Sequence, residues 1–223
     1  MRLSLDRLSA VAVLATCGIV AYSAYRARGE SIPAPVPIPS EPVSIVGAPT
    51  IGLSSANAAM VIFSDFQCPF CSQFAKETWP TLRTRYVDGE KLVVAFRNLP
   101  LEQIHSRAVP AASAALCAER VGRQFWAMHD LLFSAPNKLD DDALGGYADK
   151  LGLNRSEFQR CMSTDAVPAV EKDAEDARAI GLKATPTFLF GRRSGDGSIK
   201  VSQALRGAQP LDAFVAAIES VLR

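Results

Sequence analysis

The sequence predicts an α/β fold carrying a helical insertion, and three observations predict it. A strand–helix–strand pattern opens the globular part, a long block of Ala-rich helical periodicity without a strand fills its middle, and a strand pair with a last helix closes it. Of the 223 residues 48% are hydrophobic and 21% charged, with 24 Lys+Arg against 23 Asp+Glu for a net charge of +1. That balance excludes a disordered chain, a nucleic-acid binder working by bulk positive charge, and a polytopic membrane protein. Roughly 180 residues follow the unusual N-terminus, enough to bury a full core without metals or many cross-links. Stability therefore does not explain the cysteines.

Leu8 to Tyr25 is uncharged and flanked by Arg2, Arg7, Arg26 and Arg28. At about 1.5 Å per residue it reaches roughly 27 Å, just sufficient to cross a bilayer core. Residues 1–30 therefore read as an N-terminal transmembrane signal anchor, although small residues at Ala21-Tyr22-Ser23 and Ala27-Arg28-Gly29 also offer imperfect cleavage sites. Leu14-Ala15-Thr16-Cys17 departs from a lipobox by its Thr, so Cys17 reads as a thiol inside the anchor. In residues 31–43, Pro33, Pro35, Pro37, Pro39 and Pro42 predict an extended, semi-rigid spacer. The domain follows over 44–223, with the helical insertion at about 104–182.

Ala58 to Asp65 predicts a buried strand, Phe70 to Tyr86 a helix, and Lys91 to Arg97 a second strand. Three to five helices fit between Ser106 and Ile180, and the acid run Asp140-Asp141-Asp142 suits one of their N-termini. Strands are expected again at Thr187 to Phe190 and Ile199 to Val201, then a helix from about Pro210 to Leu222.

Cys68-Pro69-Phe70-Cys71 falls between the first strand and the first helix, where a reactive thiol belongs. Free backbone N–H groups and the positive end of the helix dipole stabilise a thiolate there, bringing a cysteine pKa to about 3.5–7.5. Cys68 is the candidate nucleophile, and Cys71, one helical turn on, is the resolving thiol that attacks a mixed disulfide at Cys68. Pro69 and Phe70 between them are candidate substrate contacts. A CxxC is also half a zinc site, but His105, His129, Cys117 and Cys161 lack the spacing of a second pair, so no metal is expected. Alone, the Thr185-Pro186 pair before the later strand reads as a strand boundary. Cys117 and Cys161 read either as buried small hydrophobes or as a bridge formed in an oxidising compartment.

The stretches VIFSDFQCPFCSQF, LPLEQIHSRAVPAASAALCAE, FWAMHDLLF and ATPTFLFG resemble the DsbA-like thiol–disulfide oxidoreductases of bacteria, from about Ile51 to the C-terminus. The resemblance implies a thioredoxin fold with the helical domain inserted after the second strand and a Cys68/Cys71 redox pair. It further implies a cis peptide bond at Pro186 that leaves the Thr185 backbone free to pair with an extended substrate. A Cys117–Cys161 structural disulfide is implied in the same way. No bound cofactor is implied.

The chain departs from the best-known oxidases in having Phe70 where they carry His, Thr185 where the strongest carry Val, and Ile62 where many relatives bury an acid. Asp65 is expected at the strand end, His105 as a cap or a neighbour of the dithiol, and His129 at a core edge. The expected function is extracytoplasmic exchange of disulfides with protein substrates, in a periplasmic protein tethered to the inner membrane, or released into the periplasm if the segment is cut. The expected partner is a membrane redox protein, either a quinone-linked oxidase or a dithiol donor; nucleic acid is not expected. The competing readings are a reductase or isomerase of the same fold and a non-catalytic peptide-binding adaptor or chaperone.

Overall fold

The computed structural model describes residues 36–223. Its strands are β1 (Val43–Ser44), β2 (Thr50–Ile51), β3 (Ala58–Ser64), β4 (Leu92–Asn98), β5 (Thr187–Arg193) and β6 (Ser198–Arg206), in the spatial order β1-β6-β5-β3-β4-β2. β3 and β4 are parallel, and the other neighbours are antiparallel. Every residue of β3 is buried, which is why its sequence is an apolar run rather than an alternation. Met60 and Ile62 join Val94, Phe96, Phe188 and Phe190 in the core on one face. Ala59, Val61 and Phe63 join Val93, Ala95 and Leu189 in the core on the other.

The predicted first helix is present but irregular. It begins as α1 (Pro69–Gln73), continues through a π-helical turn (Phe74–Thr78) into α2 (Trp79–Leu82), and ends in a second π-helical turn (Arg83–Val87). Pro80 has no N–H for the Lys76 carbonyl, and just before it the Trp79 N–H bonds Phe74 O, five residues back. Five helices then lie between β4 and β5: α3 (Ala108–Gly122), α4 (Phe125–Ser134), α5 (Asp141–Lys150), α6 (Arg155–Thr164) and α7 (Ala166–Ala179). α8 (Leu211–Leu222) closes the chain. Asp140, first of the acid run, caps α5 through Ala143 N at 2.9 Å. The expected hairpin is present with both strands longer than the sequence indicated, because Gly191 to Arg193 pair onward with residues 199–201.

β1 and β2 were not legible in the sequence. They come from one nine-residue stretch, Val43 to Ile51, and cover opposite edges of the sheet. Ile45 between them is buried beneath the sheet, and Gly52 follows at φ +106 with Leu92 O only 2.4 Å from where a Cβ would be. The Pro-rich segment expected as an extended, semi-rigid spacer is described from residue 36. Val36 and Val43 pack on the core, and Pro37 meets Gly181, because this apolar end has a sheet face to cover. The predicted anchor over 1–30, Cys17 included, and the first linker residues lie outside the described residues. Among the described residues no helix is long and apolar enough to cross a membrane.

The insertion is fastened to the sheet by a buried ion pair. Arg97 of β4 holds Asp173 of α7 through Nε at 2.9 Å, with side chains 9% and 15% exposed, and also reaches Asp176. Asp173 accepts bonds from Asn98 N and Nδ2 as well, while burial pushes its pKa up. Arg97→Met strands this carboxylate and is expected to lower unfolding free energy by about 3–5 kcal/mol in urea titrations. A loss under about 1 kcal/mol would show that the pair does not fasten the insertion.

Candidate active site

Cys68 occupies the N-cap of α1 in an extended conformation, with Pro69 at the first helical position. Pro69 suits that position because the missing N–H would have had no helical partner. Cys68 is only 4% exposed, and its sulfur is met from three sides. The Cys71 thiol donates to it, the N–H groups of Cys71 and Phe70 point at it, and the cis-Pro loop lies opposite. Sγ of Cys68 is 3.5 Å from the Thr185 carbonyl. The buried Thr185 side chain also favours the Cys68 thiolate, and its hydroxyl has no other partner among the described residues.

These donors lower the Cys68 pKa from 9.0 to about 6, the Cys71 hydrogen bond contributing most, against the opposing effect of burial. Cys71 behaves in the opposite way. It is 1% exposed, and burial above all, then the neighbouring Cys68 sulfur, push its pKa well up; the Ser64 hydroxyl and the Asp65 N–H offset only part of this. One thiol of the pair is thus prepared to be a thiolate and the other to keep its proton.

The Thr185–Pro186 bond is cis. Gly207 N–H donates to Pro186 O at 2.8 Å, and Thr187 Oγ1 donates to Ala184 O at 2.7 Å, so the loop facing Cys68 is fixed from both the β6 end and its own strand. Pro69 is exposed and Phe70 is 59% exposed, which puts an aromatic side chain on the surface beside the sulfur. All six residues expected at the site, Cys68, Pro69, Phe70, Cys71, Thr185 and Pro186, are assembled on the 68–71 turn and the loop facing it. Cys117 of α3 and Cys161 of α6 form a disulfide (S–S 2.06 Å) within the insertion.

Asp65 stands at the strand end, as expected. It lies one residue past β3 with a wholly buried side chain, accepting from Gln67 N (2.8 Å), Leu101 N (2.8 Å) and His105 Nδ1 (2.7 Å). His105 therefore does not occupy the N-cap, which is Arg107, and reaches the dithiol turn through Asp65. His129 is fully interior rather than at a core edge, ringed by Phe66, Phe96, Trp126 and Phe133, and burial lowers its pKa. Ser64 and the Asp65 amide were missed as neighbours of Cys71; the one available signal was their place between the buried strand and the CxxC. Among the described residues no three His, Cys, Asp or Glu side chains converge as a metal site.

A thioredoxin family model matches residues 44–207, which span the sheet, the insertion and both halves of this site. The chain belongs to the thioredoxin family. Among solved thioredoxin-fold structures it is similar to α-DsbA1 of Wolbachia pipientis, with a TM-score of 0.70 at 21% identity, covering 81% of this chain and 93% of that one. Oxidised BdbD of Bacillus subtilis is similar at a TM-score of 0.70 and 22% identity, covering 83% and 98%. The catalytic domain of Proteus mirabilis ScsC gives 0.62 at 20% identity, covering 78% and 89%. The fold is thus that of the DsbA-like members, helical insertion included. The curated relatives include a Na(+)/H(+) antiporter NhaA 1 of Mycolicibacterium gilvum, 37% identical over 146 residues, and an NhaA 3 of Salinispora tropica, 32% identical over 167. The matches take in 64% and 74% of this chain but only 23% and 24% of those proteins. The chain spans about a quarter of the length of these relatives.

Because the folded Cys68 pKa is depressed, its stabilisation of the reduced protein is complete above 9.0 and lost as pH falls through about 6. The raised Cys71 pKa acts with opposite sign, but only at pH values above this window. Reduced protein is therefore expected to gain urea resistance from pH 6 to pH 8, with thiolate ultraviolet absorbance rising around pH 6. Cys68→Ser should abolish both, and a pH-independent stability in wild-type protein contradicts the assigned thiolate.

Proposed function

We propose that the chain is an extracytoplasmic protein thiol–disulfide oxidoreductase working through the Cys68/Cys71 pair. The observation that carries this reading is the opposed ionisation of two thiols at one helix N-terminus, facing a cis-Pro loop. In the oxidising direction a substrate thiolate attacks Sγ of Cys68 in the Cys68–Cys71 disulfide. A substrate–Cys68 bond forms, the Cys68–Cys71 bond breaks, and the electron pair passes to Cys71, whose raised pKa makes it take up a proton. A second substrate thiolate then attacks the substrate sulfur of the mixed disulfide. The substrate leaves with a new disulfide, and Cys68 departs as a thiolate already stabilised where it stands.

The backbone of Thr185 offers pairing groups to an extended substrate segment, and Pro69 and exposed Phe70 contact it. A membrane redox protein, a quinone-linked oxidase in this direction, takes the two electrons from the reduced pair. The Cys117–Cys161 bridge supports an oxidising compartment, and the apolar run at 8–25 supports a tether to the inner membrane. That related sequence occurs in proteins named as antiporters is a further reason to place the domain beside a membrane. A second reading, a reductase or isomerase fed by a dithiol donor, is favoured by the same Cys68: with Phe70 and Thr185 around it, its pKa is depressed only to about 6.

Equilibration of the domain with glutathione buffers decides direction. A potential near −120 to −180 mV, on the scale of about −120 mV for strong oxidants and about −180 mV for isomerases, is the expected result, while about −270 mV would make the chain a reductant. Cys68→Ala is expected to abolish turnover of a reduced model protein, and Cys71→Ser to trap mixed disulfides on Cys68. Peptide binding by wild-type protein without turnover would replace the reading with a non-catalytic adaptor.

A further inference from the structure

The turn that delivers Cys68 is pinned to the loop that leads into the helical insertion. Asp65 opens this turn, and its carbonyl accepts the Cys68 N–H at 3.1 Å. Its carboxylate accepts Gln67 N on the turn itself and, across to the loop, Leu101 N and His105 Nδ1. Gln67 Oε1 accepts Arg107 N at 2.7 Å, so residues 65 and 67 both grip residues 101–107. Farther along, the Arg107 side chain donates to Leu139 O at 2.7 Å and pairs with Asp141, extending the connection to the start of α5. Of the loop groups that reach the turn, Leu101 and Arg107 supply backbone N–H groups, and His105 supplies a side chain. The imidazole is 13% exposed and the carboxylate 0%, so His105 is the link between a buried anion and the surface.

A buried carboxylate that loses one of its partners must recruit another or shift, and a shift of Asp65 moves the Cys68 N–H and the Asp65 N–H that faces Cys71. We propose that His105 is a positioning residue for the dithiol, holding Asp65 so that the 65–67 turn keeps the Cys68 sulfur beneath the helix N-terminus and thereby sets the reduction potential of the pair. The inference rests on the reading of Cys68/Cys71 as the redox site. The hydrogen bond at Nδ1 is what acts, and Asn places an amide nitrogen where that ring nitrogen lies.

Wild-type, His105→Ala and His105→Asn proteins are compared in one experiment reading the glutathione equilibrium, the thiolate titration and the melting temperature. His105→Ala is expected to shift the equilibrium about tenfold towards the disulfide, about 30 mV for a two-electron couple, and to displace the Cys68 titration upward. His105→Asn is expected to return both close to wild type. A lower melting temperature in His105→Ala with potential and titration unchanged would overturn the proposal in favour of a purely structural role. Failure of Asn to restore what Ala shifts would overturn it too, since charge rather than the hydrogen bond would then be acting. Should His105→Ala not fold, His105→Leu, which fills the space without a donor, carries the same comparison. Turnover of the wild-type protein is measured alongside: its absence removes the oxidoreductase reading, while the potentials still decide the role of His105.

Discussion

Two cysteines one helical turn apart would titrate alike in water, and the molecule is organised so that here they do not. Cys68 caps α1, where unsatisfied N–H groups converge, and the cis-Pro loop closes over its far side. Cys71 is carried by the same turn into the apolar core beside Phe74 and β3. The separation of their pKa values follows from where the helix begins, at Pro69 just past the 65–67 turn, from the burial of Cys71, and from the thiol and loop groups that meet Cys68. The sheet, covered on both faces, supplies the strand that leads into this turn, and the β5–β6 hairpin supplies the loop that faces it.

The helical insertion is joined to this arrangement at two places of different character. Arg97 couples β4 to α7 through charges that burial makes costly to leave unpaired, which fixes the insertion against the sheet. The contact between residues 65–67 and 101–107 fixes it against the dithiol turn, through backbone N–H groups and one imidazole meeting the Asp65 carboxylate and the Gln67 amide oxygen. His129 and its aromatic neighbours lie between these, joining Phe66 and Phe96 of the sheet side to α4. The insertion is thus part of the site's support.

The dithiol motif, the β3–α1–β4 opening, the place of the inserted helices and the closing hairpin were legible because each is written in local pattern, whereas the number of inserted helices was bounded only as three to five. The N-terminal stretch was not. Val43-Ser44 and Thr50-Ile51 are too short to show an alternation, and they become strands only because sheet edges lie within reach. Pro37, in a segment that reads as a spacer, packs against Gly181 for the same reason. Asp65 and His105, 40 positions apart, carry no mutual signal in one sequence, since nothing in the spacing says that a loop after β4 returns to the end of β3.

By itself the sequence determined which residues could react: a CxxC between strand and helix, a Thr-Pro before a later strand, and an apolar count sufficient for a core. Periodicity and helix-terminus chemistry act over a few residues, so a single chain displays them directly. Only the tertiary structure decided how deeply Cys71 is buried, what holds the turn that presents Cys68, and where His129 and the described end of the Pro-rich segment lie. Those outcomes depend on desolvation and on hydrogen bonds between segments distant in sequence, and both exist only once the chain has closed around them.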